Sequence, residues 1–280
     1  MGSLGPNLCV VVADESETTS QIIEKLQKKL PTAQVVKSNH LACTKKQNPI
    51  YIAIGPAALR SLLEKTEDKP ILSLFTSNHA YHAIFEKVAK HRRNMVTAIF
   101  AEPSPSGQLQ LISRLFKRPN NVAVLLSEKN TYLLPLIKTS AAQLNIDLSI
   151  EYVSSPKDIN LVLNRITNTS AILAVPDNMI YNAENIRNIL MTTYRHNQAV
   201  IGFSTALVKA GALASTYSDI EDVIEQAADM LNAIAVDGAM PQPQFPKYFS
   251  VVINDNVARS LNLVIDNSVR GFKRKPETRQ

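Results

Sequence analysis

Six short polar loops, each directly behind an apolar run, hold most of the side chains in this sequence that could meet a small solute. Asp14-Glu15-Ser16 comes first, then Gly55-Pro56, Thr76-Ser77-Asn78, Ser127-Glu128-Lys129-Asn130, Pro176-Asp177-Asn178 and Phe203-Ser204. Ser104 stands apart in Glu102-Pro103-Ser104-Pro105, where the prolines keep the backbone extended. Most of these residues are small, polar and uncharged. Hydroxyls and backbone amides at helix starts suit a carboxylate or another anion, while Asp177, Asp14 or Glu128 could meet an amine. The competing structural role is plainer: Asp, Ser and Asn at such points cap the helix that follows. Tyr217 reads as a cleft wall or as a packed hinge residue. With no Trp in the chain, aromatic stacking would fall to Phe203, Tyr217 or Tyr81. On this reading Asp177→Ala abolishes binding of an amine ligand without unfolding the chain.

Signatures of catalysis are missing. No Gly-x-Gly-x-x-Gly follows the first apolar run, and neither a Walker loop nor a Gly-x-Ser-x-Gly elbow occurs. His79 and His82 are three apart, but no nearby cysteine or carboxylate completes a metal set, so they read as a solvated helix face. His40, His91 and His196 stand singly. The expectation is a binding protein, not an enzyme, without cofactor or metal.

Apolar runs and amphipathic stretches alternate, which predicts what must position these loops. Strands are expected over 8–13, 33–37, 50–54, 71–75 and 95–100, with helices over 18–30, 57–65 and 80–90 among them. A second series has strands over 121–126, 147–153, 171–175 and 199–203 and helices over 108–116, 131–144, 155–166 and 182–194. Alternation of this kind argues for parallel sheets covered on both faces. The run 199–203 and the pulse at Ala212-Leu213-Ala214 are separated by less than a helix. A parallel crossover needs a dozen or more residues, so the chain is expected to leave one sheet and enter another there. The fold class is therefore α/β, two Rossmann-like lobes with parallel sheets joined by three hinge crossings, near 99–103, 204–213 and 243–248. The lobes are expected at 7–100 plus 213–243 and at 101–212 plus 244–264, with 265–280 a solvated basic tail. Several crossings permit hinged opening but little sliding.

Composition narrows the partners. A net charge of +6 comes from scattered Lys and Arg without interleaved aromatics, so no nucleic-acid partner is expected. Cys9 and Cys43 are too few for a disulfide framework; two buried free thiols is the reading taken, with pairing the alternative. No run is long and apolar enough for a membrane span. Met1 to Pro6 lacks the order of a secretion signal, which leaves a cytosolic protein or a mature chain whose signal has been removed.

Several segments together resemble one family. They are Gly202-Phe203-Ser204, Gly211-Ala212-Leu213-Ala214-Ser215-Thr216-Tyr217, Ile224-Glu225-Gln226-Ala227-Ala228, the run PQPQFPKYFSVVIN from Pro241 to Asn254, and Val257-Ala258-Arg259-Ser260-Leu261. Glu102-Pro103-Ser104-Pro105-Ser106-Gly107-Gln108, Val122-Ala123-Val124-Leu125-Leu126 and Ala174-Val175-Pro176-Asp177-Asn178 agree with them. The pattern is similar to the substrate-binding proteins of ABC transporters. The resemblance implies a type I periplasmic-binding-protein fold and a small ligand, an amino acid or similar. It also implies ABC permease and ATPase partners, a periplasmic location after signal removal, and a monomer. A solute-sensing module of the same fold, paired with a membrane signalling partner, is the alternative; an enzyme with paired Rossmann-like lobes is a third. Two departures stand out: Gly55-Pro56-Ala57-Ala58 where the family has Gly-Thr-x-Ala, and Ser77-Asn78 where an Asp-Pro pair is common.

Overall fold

A computed structural model describes residues 7–38, 43, 49–66, 68–116 and 121–276. Met1 to Pro6 and His40 lie outside them. The chain divides into two compact units. The first holds the chain up to Ala101, Ser218–Tyr248 and the chain from Lys275; the second holds Glu102–Tyr217 and Phe249–Arg274.

In chain order the first unit opens with β1 (Leu8–Val12), α1 (Glu17–Lys29), β2 (Gln34–Lys37), β3 (Ile50–Ile54), α2 (Gly55–Lys65), β4 (Ile71–Thr76), α3 (Asn78–Phe85) and β5 (Val96–Phe100). The second follows with α4 (Pro105–Leu115), β6 (Val122–Leu126), α5 (Leu134–Gln143), β7 (Leu148–Tyr152), α6 (Ile159–Arg165), β8 (Ala171–Leu173), α7 (Ile186–Arg195), β9 (Ala199–Ile201), α8 (Thr205–Ala210) and β10 (Ala214–Tyr217). Then α9 (Ile220–Asp237) returns to the first unit, and β11 (Ser250–Ile253), α10 (Asp255–Ser260) and α11 (Asn267–Arg270) to the second.

The first sheet is parallel throughout, in the order β2-β1-β3-β4-β5. Every residue of β1, β3 and β5 is buried, as a parallel strand covered on both faces requires. On one face Val10, Ile52, Leu72 and Leu74 pack with Leu26 of α1 and Leu231 of α9. On the other, Val11, Ala53 and Ala98 pack with Leu59 and Leu62 of α2 and Tyr81 of α3. Local chemistry places α9: the Asp219 carboxylate accepts from the Asp222 amide at 2.8 Å and Asp222 accepts from the Asp219 amide at 3.2 Å, a reciprocal cap. Gly238 closes the same helix with φ +70°.

The second sheet runs β11-β10-β9-β8-β6-β7, with β11 antiparallel at its edge. Without β11 it repeats the order of the first. In both, the order reverses beside the first strand of the series, at β1/β3 and at β6/β8. Ligands of open parallel sheets bind outside the carboxyl ends at that reversal.

Three expectations need correction. The pulse at 212–214 does not change sheets: β10 pairs in parallel with β9 through Ala214 and Ile201, and the chain passes to the first unit only after Tyr217. The connecting residues 202–213 coil into α8, whose six residues end at Gly211 with φ +130°. That suffices for a minimal parallel crossover. The solvated tail is also overturned for its described part. Val269 is buried, Phe272 meets Phe249 edge-on at 5.1 Å, and the Arg114 guanidinium lies 4.4 Å from the Phe272 ring. The Lys275 ammonium then donates to Asp222 at 2.6 Å and Asp219 at 3.2 Å, a further return to the first unit. Residues 277–280 lie outside the described chain. Lastly, Cys9 and Cys43 are not free thiols but a disulfide, with Cα atoms 6.1 Å apart.

Candidate functional site

Each unit presents its own rim of loops at the carboxyl ends of its strands. In the first, Asp14 is exposed and turned back on its own loop: its carboxylate accepts from the Ser16 amide at 3.0 Å and the Thr19 hydroxyl at 2.7 Å. Those two bonds, the hydroxyl first, hold its pKa below the ordinary carboxylate value. Ser16 caps α1 and Ser77 caps α3. Between them α2 begins at Gly55-Pro56 with no side-chain cap. Gly55 has φ +80°, and nothing stands within 4 Å of where a Cβ would project. The departure from Gly-Thr-x-Ala thus leaves a helix start whose amides no side chain of the loop covers.

The end of β4 is irregular. Its pairing with β5 shifts register between Leu74 and Thr76, and Phe75 has φ +58°. Thr76 is fully buried, accepting from the Ser73 hydroxyl at 2.9 Å, so its own hydroxyl points into the protein. His82 is half-buried on α3 with its ring 6.4 Å from that of Phe100, rather than on a solvated face, and burial lowers its pKa.

In the second unit Asp177 is the centre. It is 5% exposed, and its two oxygens take four donors: the Ser127 amide at 3.2 Å, the Asn130 amide nitrogen at 2.8 Å, and the backbone amides of Met179 at 2.9 Å and Ile180 at 3.3 Å. Asn130, fully buried, also donates to the Pro176 carbonyl at 2.9 Å. A carboxylate offers about four lone-pair sites, and here its own unit occupies them. Asp177 therefore pins the β6 loop to the β8 loop across the reversal point, and the expected direct contact with an amine gives way to a positioning role. Asn178 beside it is exposed.

Ser104 caps α4 and Ser204 caps α8, so capping accounts for both hydroxyls. Phe203 is half-buried and meets Tyr181 edge-on at 5.9 Å. Tyr217 closes β10 opposite Ser250. Three residues escaped the sequence reading. Gln108 is buried on α4 and donates to the Ser215 hydroxyl at 2.9 Å while accepting the Thr216 amide at 2.9 Å, which locks α4 to β10. Its place in the proline and glutamine segment was the available signal. Tyr132 stands in the turn Glu128–Leu133 behind β6 and is 36% exposed; partial burial first, then Glu102 and Asp177, push its hydroxyl up. Tyr181 is buried beside Asp177, and its hydroxyl has no hydrogen-bond partner among the described residues. Tyr181→Phe is therefore expected to be neutral or stabilising by up to about 1–2 kcal/mol in chemical denaturation; a clear loss of stability would mean that the hydroxyl has a partner.

Cavities within the first unit lie elsewhere. A 410 Å³ groove is lined by Arg60, Leu63, Ile84, Lys87, Val88 and Arg92, and a 260 Å³ pocket by Tyr81, Phe85, Arg93, Phe100 and Pro243 among others. Neither is lined by a residue of the β1 or β3 loops. Among the described residues no group of His, Cys, Asp and Glu is arranged to hold a metal, and no helix is long and apolar enough to cross a membrane.

The model of one protein family, ABC transporter substrate binding protein, matches residues 14–274. No curated protein matches the chain. Solved structures do. A conserved domain protein from Vibrio cholerae is 20% identical with a TM-score of 0.59, over 95% of this chain and 97% of that one. An ABC domain in complex with L-Trp from Streptococcus pneumonia is 19% identical, TM-score 0.58, over 96% and 98%. The ligand-free, open structure of a substrate binding protein with adhesive properties from Clostridium difficile is 14% identical, TM-score 0.69, over 94% and 96%. At such identities the likeness concerns the fold, which is that of the type I periplasmic binding proteins.

Proposed function

We propose, from the premise that this chain belongs to the ABC transporter substrate-binding protein family, that it is the extracytoplasmic solute-binding component of an ABC importer. The observation that carries this is the extent of the family match: residues 14–274 take in both units, from the β1 loop to the end of the C-terminal segment. The ligand is a small solute carrying a carboxylate, an amino acid or similar. Its carboxylate meets the uncapped start of α2, where Gly55 leaves room for close approach and the helix dipole favours negative charge. Asn178, Phe203, Tyr217 and Tyr132 supply the remaining contacts, and Asp177 and Asn130 hold the second rim in shape. The two rims close on the solute by hinge motion. Closure follows ligand binding because the closed form binds the ligand better, by the ratio of its two affinities. Support for an amino acid comes from the L-Trp complex of one relative of the same fold. The disulfide fits an oxidising compartment outside the cytoplasm, where such bonds persist. The protein works as a monomer that hands its ligand to a permease driven by an ATPase.

A thermal-shift screen of amino acids, sugars and sugar nucleotides tests this reading. At a ligand concentration of about 100 Kd the native state gains about 2.7 kcal/mol, or about 5–10 °C in Tm for a chain of this size. An amino acid is expected to give that shift. Stabilisation by sugar nucleotides alone would replace the binding protein with an enzyme.

A further inference from the structure

Phe75 is built into the rim of the first unit in a way that regular strand geometry does not allow. Side chains on a strand alternate between faces. Along β4, Leu72 and Leu74 face the core shared with α1 and α9, while Ile71 faces the core shared with α2 and α3. By that alternation Phe75 belongs with Ile71. Instead it packs against the core of Leu72 and Leu74. Ser73 and Thr76, three apart and so on opposite faces of a regular strand, are hydrogen-bonded through their hydroxyls at 2.9 Å. Both observations have one cause. Phe75 is an extra residue in the strand, a bulge marked by the register shift between Leu74 and Thr76 and by its φ of +58°. A bulky residue in the left-handed region is an outlier, and bulges beside functional sites re-aim side chains.

We infer that the bulge exists to set the Phe75 ring as a wall at the carboxyl end of β4, and that this ring limits the size of the solute's side chain. Phe75 is half-buried at the carboxyl end of β4, resting on that core without being enclosed by it. It lies one strand from the uncapped start of α2, since β4 is the neighbour of β3. A solute whose carboxylate sits on α2 would direct its side chain along this end of the sheet. This inference rests on the solute-binding reading above and adds to it the residue that decides which solute fits.

The test measures calorimetric affinities of the wild-type chain, Phe75→Ala, Phe75→Trp and Phe75→Gly for alanine, valine, leucine, phenylalanine and tryptophan. Phe75→Gly separates the backbone from the ring: it relieves the positive φ but removes the ring as Phe75→Ala does, so it should share the alanine variant's change in preference and melt above that variant. The alanine variant should shift preference towards larger side chains and the tryptophan variant towards smaller ones, each by about tenfold or more in the ratio of affinities. A merely structural role would weaken all ligands together and leave the ratios unchanged, which would overturn the inference. Wild-type protein that binds none of these amino acids would overturn the solute reading as well, whereas wild-type binding with unchanged ratios in the variants would overturn only the role of Phe75.

Discussion

Replacing Asp177 by alanine will lower the unfolding free energy by about 3–5 kcal/mol, a fall of about 6–20 °C in Tm. The carboxylate is buried and is the shared acceptor of four donors from the β6 and β8 loops. Two of these have a second acceptor: Asn130 also donates to the Pro176 carbonyl at 2.9 Å, and the Ile180 amide to the Asp177 carbonyl at 3.2 Å. The Ser127 and Met179 amides have no second acceptor among the described residues. An unsatisfied buried donor costs about 1–3 kcal/mol, and loss of the charge-assisted bonds adds to that. Asp177→Asn keeps the shape and one acceptor oxygen, so it should lose less. Urea denaturation of the two variants beside wild type reads the difference; an alanine variant within about 1 kcal/mol of wild type would show that the pin is dispensable. Ligand affinity should fall in the alanine variant too, as a consequence of the loosened rim.

Reduction of the Cys9–Cys43 bond should cost nearly as much. It closes a segment with a sequence separation of 34, and removing that constraint from the unfolded chain is worth about 3–4 kcal/mol by the loop-entropy relation. Cys43→Ser isolates the effect, because Cys9 remains in β1, where it is 1% exposed and packs as a small apolar side chain. Thermal melts of the wild type with and without a phosphine reductant, and of Cys43→Ser without it, should show one shared loss. Equal melting temperatures in all three would mean that the bond contributes nothing. A thiol titration of the denatured, unreduced protein should find no free thiol.

The contrast at Asp177 shows how far residue type carries an argument. An acidic residue behind an apolar run was legible as a rim residue, and the structure leaves it there. Its role was not legible, because two of the four donors come from a loop some fifty positions earlier and the other two from the backbone of its own turn. Ser104, Ser77 and Ser204 went the other way. Their hydroxyls cap the helices that follow, an interaction within three residues that spacing alone could reveal.

Sequence alone determined the alternation of strands and helices and the α/β class with two largely parallel sheets. The reason is physical: fully buried parallel strands such as β1, β3 and β6 must be continuous apolar runs, and amphipathic helices show their period within a few turns. Tertiary structure alone decided that β10 stays beside β9, that Cys9 meets Cys43, that Asp177 is saturated and that Phe75 turns across the strand. Each of these depends on partners distant in the chain or on a backbone angle, and neither leaves a periodic trace in the order of residues.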